Sequence, residues 1–133
     1  MDAQARILLI DDDDLNLEVL QIQLESEGYQ VRTAASGERG LEEVAHHPPD
    51  LILLDVRMRG MGGYATCAAL KQKEATRHIP VLMVTGYKDK ENVERIIEAG
   101  ADDILFKPIN SSIMFLRVRR MIYQKQLYNQ LHG

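Results

Sequence analysis

This sequence predicts an α/β domain built on a doubly wound, five-stranded parallel sheet. Three observations point there. Five short apolar runs alternate with longer stretches of helical periodicity. Three of those runs are apolar almost throughout, the pattern of parallel strands covered by helices on both faces. The chain has 133 residues, whereas a closed barrel of eight β-α units needs ~250, so five units form an open sheet.

Each element has a local reason. The first strand is RILLI, residues 6–10. A helix over 15–26 carries Leu17, Leu20 and Leu24 with Val19 and Ile22, and Gly28 stops it. The second strand, QVRTA at 30–34, alternates polar and apolar residues and is placed at a sheet edge. Ser36 caps a helix that runs to His46 and ends at Pro48-Pro49. LILLD at 51–55 is the third strand, followed by a helix over 63–73. PVLMVT at 80–85 is the fourth strand. The next helix starts near Asp89, buries Val93, Ile96 and Ile97, and ends at Gly100. DILFK at 103–107 is the fifth strand, and a last helix runs from beyond Asn110 to Gln130.

Composition narrows the function classes. Hydrophobic residues make up 45% and charged residues 27%, an ordinary globular balance. A net charge of −4 argues against direct nucleic-acid binding, which needs a basic face. The single cysteine, Cys67, rules out an internal disulfide, fits a reducing cytoplasm and reads as a buried thiol. The four histidines show no ligand spacing. No apolar run nears the ~20 residues that span a bilayer, and MDAQAR has no signal-peptide core, so a cytoplasmic domain without membrane contact is expected.

Parallel strands all end on one edge, where an open α/β sheet holds its ligand. That edge should gather Asp11 and Asp12 after the first strand, Asp55 at the end of the third, Thr85 at the end of the fourth and Lys107 at the end of the fifth. Three close carboxylates cannot all ionise cheaply; one pKa rises or a cation binds. Hard oxygen ligands with retained waters suit Mg²⁺. Lys107 supplies a point charge and Thr85 one hydrogen-bond donor. Such parts neutralise and orient a transferring phosphoryl group, with a carboxylate as nucleophile. Asp13 and Asp14 read instead as caps of the first helix. An EF-hand loop fails, because its glycine at position six and its glutamate at position twelve are missing.

Over nearly its whole length the sequence resembles the receiver domain of two-component response regulators. The resemblance rests on ILLIDDDDLN, DLILLDVRMRGMGGY, IPVLMVTG and AGADDILFKPI. It implies a flavodoxin-like (βα)5 fold with strand order 2-1-3-4-5 and a domain over residues 1–122. It implies Asp55 as phosphoacceptor from a phosphohistidine on a sensor histidine kinase or phosphotransfer protein. It implies Asp11, Asp12, Asp55 and the main-chain carbonyl of Arg57 as ligands of Mg²⁺ or Mn²⁺, Asp12 directly and Asp11 directly or through water. Thr85 would be the switch hydroxyl and Lys107 the ion-pair partner, with a cis Lys107–Pro108 bond. The domain would modify and dephosphorylate only itself, turning over no external substrate. Phosphorylation would shift the face formed by helix four, strand five and helix five, where such domains dimerise or control an output domain.

Some positions depart from that pattern. Arg59 stands where proline is common, Gly62 where aspartate is common and Ile104 at the usual aromatic switch position. The loop RGMGG should therefore be looser than the family's, and the usual threonine–aromatic coupling is in doubt. Arg57 either lies over the site or is a plain solvated arginine; with Tyr87 it is expected to set phosphoryl lifetime. An aspartyl phosphatase of the haloacid dehalogenase type would need a second aspartate where Arg57 stands. A receiver-like module working without phosphate is the alternative that the departures keep open.

Residues 123–133 extend the last helix. Tyr123, Leu127 and Leu131 share one face, read as a linker to an output domain or a dimer contact rather than a stripe folded back on its own domain. ATRHIPVLMVTG and LRVRRMI look most like receivers ahead of nucleotide cyclases or cyclic-dinucleotide enzymes.

Overall fold

In the computed structural model, which describes residues 4–133, strands and helices alternate along the chain. The first three residues of the expected 1–122 unit lie outside the described residues. The elements are β1 (Arg6–Ile10), α1 (Asp14–Ser26), β2 (Gln30–Ala34), α2 (Gly37–His46), β3 (Leu51–Asp55), α3 (Gly63–Gln72), β4 (Val81–Thr85), α4 (Lys90–Glu98), β5 (Asp103–Phe106) and α5 (Ser111–His132). All strand pairs are parallel, in the order β2-β1-β3-β4-β5. The alternating strand QVRTA is therefore at an edge, as its half-polar pattern requires.

Alternation along the strands builds two cores. Ile7, Leu9, Leu53, Val84 and Leu105 face α1 and α5, where Leu17, Leu24, Met114 and Val118 meet them. Leu8, Ile10, Leu54 and Met83 face the other way, toward Val44 of α2, Cys67 and Leu70 of α3 and Ile96 of α4. β3 and β4 are buried at every position, which is why they are apolar without interruption.

The helix starts are fixed by side-chain caps. Asp13 accepts from the N–H groups of Leu15 and Asn16 at 3.0 and 3.2 Å. Asp14 is the first helical residue, where its charge suits the positive end of the helix dipole. Ser36, Asp89 and Asn110 cap α2, α4 and α5 in the same way.

One expectation about a helix face needs correction, and one gains a detail. On α4 only Ile96 is fully buried; Val93 is half-buried and Ile97 is 63% exposed. The inward stripe is Asn92 and Ile96, one turn apart, so a polar residue, not Val93 or Ile97, shares the inward face with Ile96. On α5, Tyr123, Leu127 and Leu131 are exposed, but a different stripe holds the extension to the domain. Met121, Ile122 and Lys125 are buried, and the Tyr128 ring stacks on His78 at 4.7 Å between centroids and on His132 at 4.0 Å. Burial pushes the Lys125 ammonium below its usual range.

Gly63, the first residue of α3, lies against the end of β3. A Cβ there would overlap the Asp55 carbonyl oxygen and sit 2.7 Å from Val56 Cα. Backbone cannot yield as a flexible side chain can. Gly63→Ala should therefore destabilise the domain by about 1–3 kcal/mol in urea unfolding, in line with overpacked positions elsewhere. Gly86→Ala, whose Cβ meets nothing within 4 Å, should stay within about 0.5 kcal/mol.

Candidate functional site

The sheet brings the ends of β1, β3, β4 and β5 to one rim. Asp55 closes β3 and is 5% exposed; Asp11 follows β1 and is 7% exposed. Lys107 lies one residue past β5, tied to the end of β4 by its N–H, which donates to the Thr85 carbonyl at 2.8 Å. From there its Nζ reaches Asp55 Oδ1 at 2.7 Å. The Lys107–Pro108 bond is cis. Asp11 accepts from the Asp13 N–H at 3.0 Å and from Asn16 Nδ2 at 3.4 Å. Asp12 points to the β3–α3 loop, where the Arg59 N–H donates to its Oδ2 at 2.9 Å and Arg59 Nε lies 3.5 Å away. A proline at position 59 would lack that N–H, so this departure ties the loop to Asp12.

Charge at the rim is unbalanced. Burial pushes the Asp55 carboxyl above its usual range, and the Lys107 ammonium and the Arg57 N–H only partly offset this, with Asp12 adding repulsion. Burial likewise pushes Asp11 up, against the Asp13 N–H, and Asp55 pushes it further. Burial works against the Lys107 charge, but Asp55, with Asp11 and Asp13 behind it, outweighs that and holds its pKa above normal. The Lys107 ammonium thus faces two buried carboxylates, while half-buried Asp12 pairs with the exposed Arg59 side chain.

Thr85 is brought to the rim but does not touch Asp55. Its Oγ1 accepts from the Tyr87 N–H at 3.1 Å and from Asn92 Nδ2 at 3.3 Å. The exposed Arg57 guanidinium lies 4.2 Å over the ring of Tyr87, itself 47% exposed, a contact that restrains its side chain at the surface. A groove of about 320 Å³ runs from Asp55 and Lys107 along α1, lined by Leu15, Val19, Pro108 and Ile109.

Sequence reading missed Asn16, Asn92 and the pairing of Asp12 with Arg59. Asn16 stands one turn into a helix that begins at the acidic run, where a side chain can reach back to Asp11. Asn92 sits three residues past the Asp89 cap, in the first turn that faces Thr85.

Among the described residues no three carboxylate, imidazole or thiol groups close into a metal cage. The donor set nonetheless fits one class of ion. It offers hard oxygens, two of them on buried carboxylates whose pKa values burial raises and Lys107 only partly offsets. A small divalent cation that keeps several waters and uses one or two carboxylates meets that need.

Comparison with known proteins agrees. The model of the response regulator receiver domain matches residues 7–119. The response regulator PleD of Caulobacter vibrioides is 41% identical over 127 residues, 96% of this chain and 28% of that protein. A "Probable cyclic di-GMP phosphodiesterase" of Vibrio cholerae is 35% identical over 93% of this chain and 28% of its own length. The chain thus spans little more than a quarter of either relative. The crystal structure of a putative response regulator from Chloroflexus aurantiacus superposes with a TM-score of 0.87 at 36% identity, covering 91% of this chain and 99% of that one. No helix among the described residues is long and apolar enough to cross a membrane. The chain belongs to the receiver-domain family of two-component response regulators, whose members accept a phosphoryl group in signal transduction.

Proposed function

We propose that Asp55 accepts the phosphoryl group from a sensor histidine kinase or phosphotransfer protein. The observation that carries this reading is the 2.7 Å pair between buried Asp55 and half-buried Lys107, at a rim with surplus negative charge. With Oδ1 engaged by Lys107, Oδ2 is the oxygen left to attack phosphorus. A P–O bond forms to Asp55 as the P–N bond to the donor imidazole breaks, and the imidazole leaves with the bonding pair. Lys107 then pairs with the phosphoryl group and Thr85 donates its hydroxyl proton to one of its oxygens. Asp11, Asp12, Asp55 and the main-chain carbonyl of Arg57 would hold Mg²⁺ or Mn²⁺. When bound, that ion supplies the positive charge that the phosphoryl oxygens and carboxylates share. The domain turns over no external substrate.

Partners follow from exposure. Leu15, Val19 and Ile22 on α1 are 66%, 46% and 61% exposed, and Leu15 and Val19 line the groove that reaches Asp55. This apolar edge suits the helix that presents the phosphohistidine. Ile97 on α4 and the α5 stripe of Tyr123, Leu127 and Leu131 offer the output face, for a homodimer or a domain beyond α5. The Vibrio cholerae relative supports a cyclic-dinucleotide enzyme as that output. A cytoplasmic location completes the reading, with no nucleic-acid contact, the latter supported by the net charge of −4.

Two tests follow. Acetyl phosphate with Mg²⁺ should add one phosphoryl group, seen as a mass shift, and Asp55→Asn or chelation of the metal should abolish it. Modification of Asp55→Asn at the wild-type rate would refute the assignment. Second, Arg57 and Tyr87 screen the phosphoryl group from water, so Arg57→Ala and Tyr87→Ala should each change the dephosphorylation rate by about threefold or more, the scale of one exposed cation–π contact. Unchanged rates in both would end that idea.

A further inference from the structure

A threonine hydroxyl has two acceptor lone pairs and one proton. At Thr85, which is 2% exposed, both lone pairs are taken, by the Tyr87 N–H and by Asn92 Nδ2. The proton is what remains, so the two contacts fix this hydroxyl as a donor. Asn92 is itself 7% exposed and uses its whole carboxamide. Nδ2 also donates to the Tyr87 carbonyl at 2.6 Å, and Oδ1 accepts from the Tyr64 hydroxyl on α3. The Asp89 cap accepts from the Asn92 N–H at 3.1 Å, which holds the residue at the start of α4. Tyr64 in turn carries the exposed Arg95 guanidinium 4.0 Å over its ring.

We infer that Asn92 is a positioning residue for Thr85, and that the chain Thr85–Asn92–Tyr64 carries the state of the site to the α3–α4 surface. This rests on the reading of Thr85 as the hydroxyl that meets the phosphoryl group. Strand parity supports the route. Thr85 shares the side of β4 that Met83 presents to the α2–α4 core, so its side chain faces α4 rather than α5. Ile104 on β5, packed against that same core, has no polar atom to follow the hydroxyl. When Thr85 turns toward a phosphoryl oxygen, Asn92 Nδ2 loses an acceptor. A buried N–H left unpaired is costly, so the carboxamide readjusts about its bond to the Tyr87 carbonyl and the Tyr64 hydroxyl moves with it.

The test uses the whole domain with its five tyrosines replaced by 3-fluorotyrosine, observed by fluorine NMR on adding beryllofluoride with Mg²⁺. Tyr64→Phe and Tyr87→Phe assign the two signals. In the wild type both should shift. In Asn92→Ala, and in Asn92→Asp should alanine fail to fold, the Tyr87 signal beside the site should still shift while the Tyr64 signal no longer does. Asn92→Ala should also slow phosphorylation by acetyl phosphate by about three- to tenfold, the worth of one hydrogen bond. Binding with a motionless Tyr64 in the wild type, or a full Tyr64 response in both Asn92 variants, overturns this inference alone. No response of either signal in the wild type overturns the assignment of the phosphoacceptor site with it.

Discussion

The Asp55–Lys107 ion pair is the contact on which the rest depends. It joins the ends of β3 and β5 across β4, which lies between them in the sheet. A lone pair with one partner buried would be weak evidence of stability, because desolvation offsets much of the attraction. Here the pair is not balanced. Asp11 is buried nearby and Asp12 half-buried, and burial, with carboxylate repulsion added, raises the Asp11 and Asp55 pKa values beyond what Lys107 offsets. Both carboxyls are held above their unfolded values. Their contribution to stability is therefore full below the ordinary aspartate range and is lost as pH rises through the raised values. At neutral pH the ionised carboxylates of the metal-free rim bear a desolvation cost that added positive charge, such as the divalent ion proposed above, would offset.

The fold was legible because its determinants are local and periodic. LILLD and VLMVT are apolar at each position because both faces of β3 and β4 are covered, whereas QVRTA shows its edge position in Arg32 and Thr33. Caps at Asp13, Ser36 and Asp89 follow from short-range chemistry. The rim residues were legible too, since a parallel sheet must place the residues that follow its strands together. Contacts between side chains on different elements were not. Nothing in the spacing of Val93, Ile96 and Ile97 says that α4 turns Asn92 inward instead, and no local pattern pairs Tyr64 with Asn92, 28 residues apart.

The departures from the family pattern acquire physical content. Arg59 replaces a residue without an N–H by one whose N–H holds Asp12 at 2.9 Å, so a loop expected to be loose has a tether. Arg57, read equally as solvated or site-facing, rests on Tyr87. The long α5 reconciles two readings of its end. One face docks through Met121, Ile122, Lys125 and Tyr128, and the opposite stripe of Tyr123, Leu127 and Leu131 stays open for a partner.

The central claim is that buried, under-compensated carboxylates create the site. Carbon-13 NMR titration of the Asp11 and Asp55 carboxyl signals, with and without Mg²⁺, tests it most directly. The account predicts that both titrate above the ordinary aspartate range in metal-free protein and that Mg²⁺ lowers both. Titration of both at the ordinary value, unmoved by Mg²⁺, would contradict it.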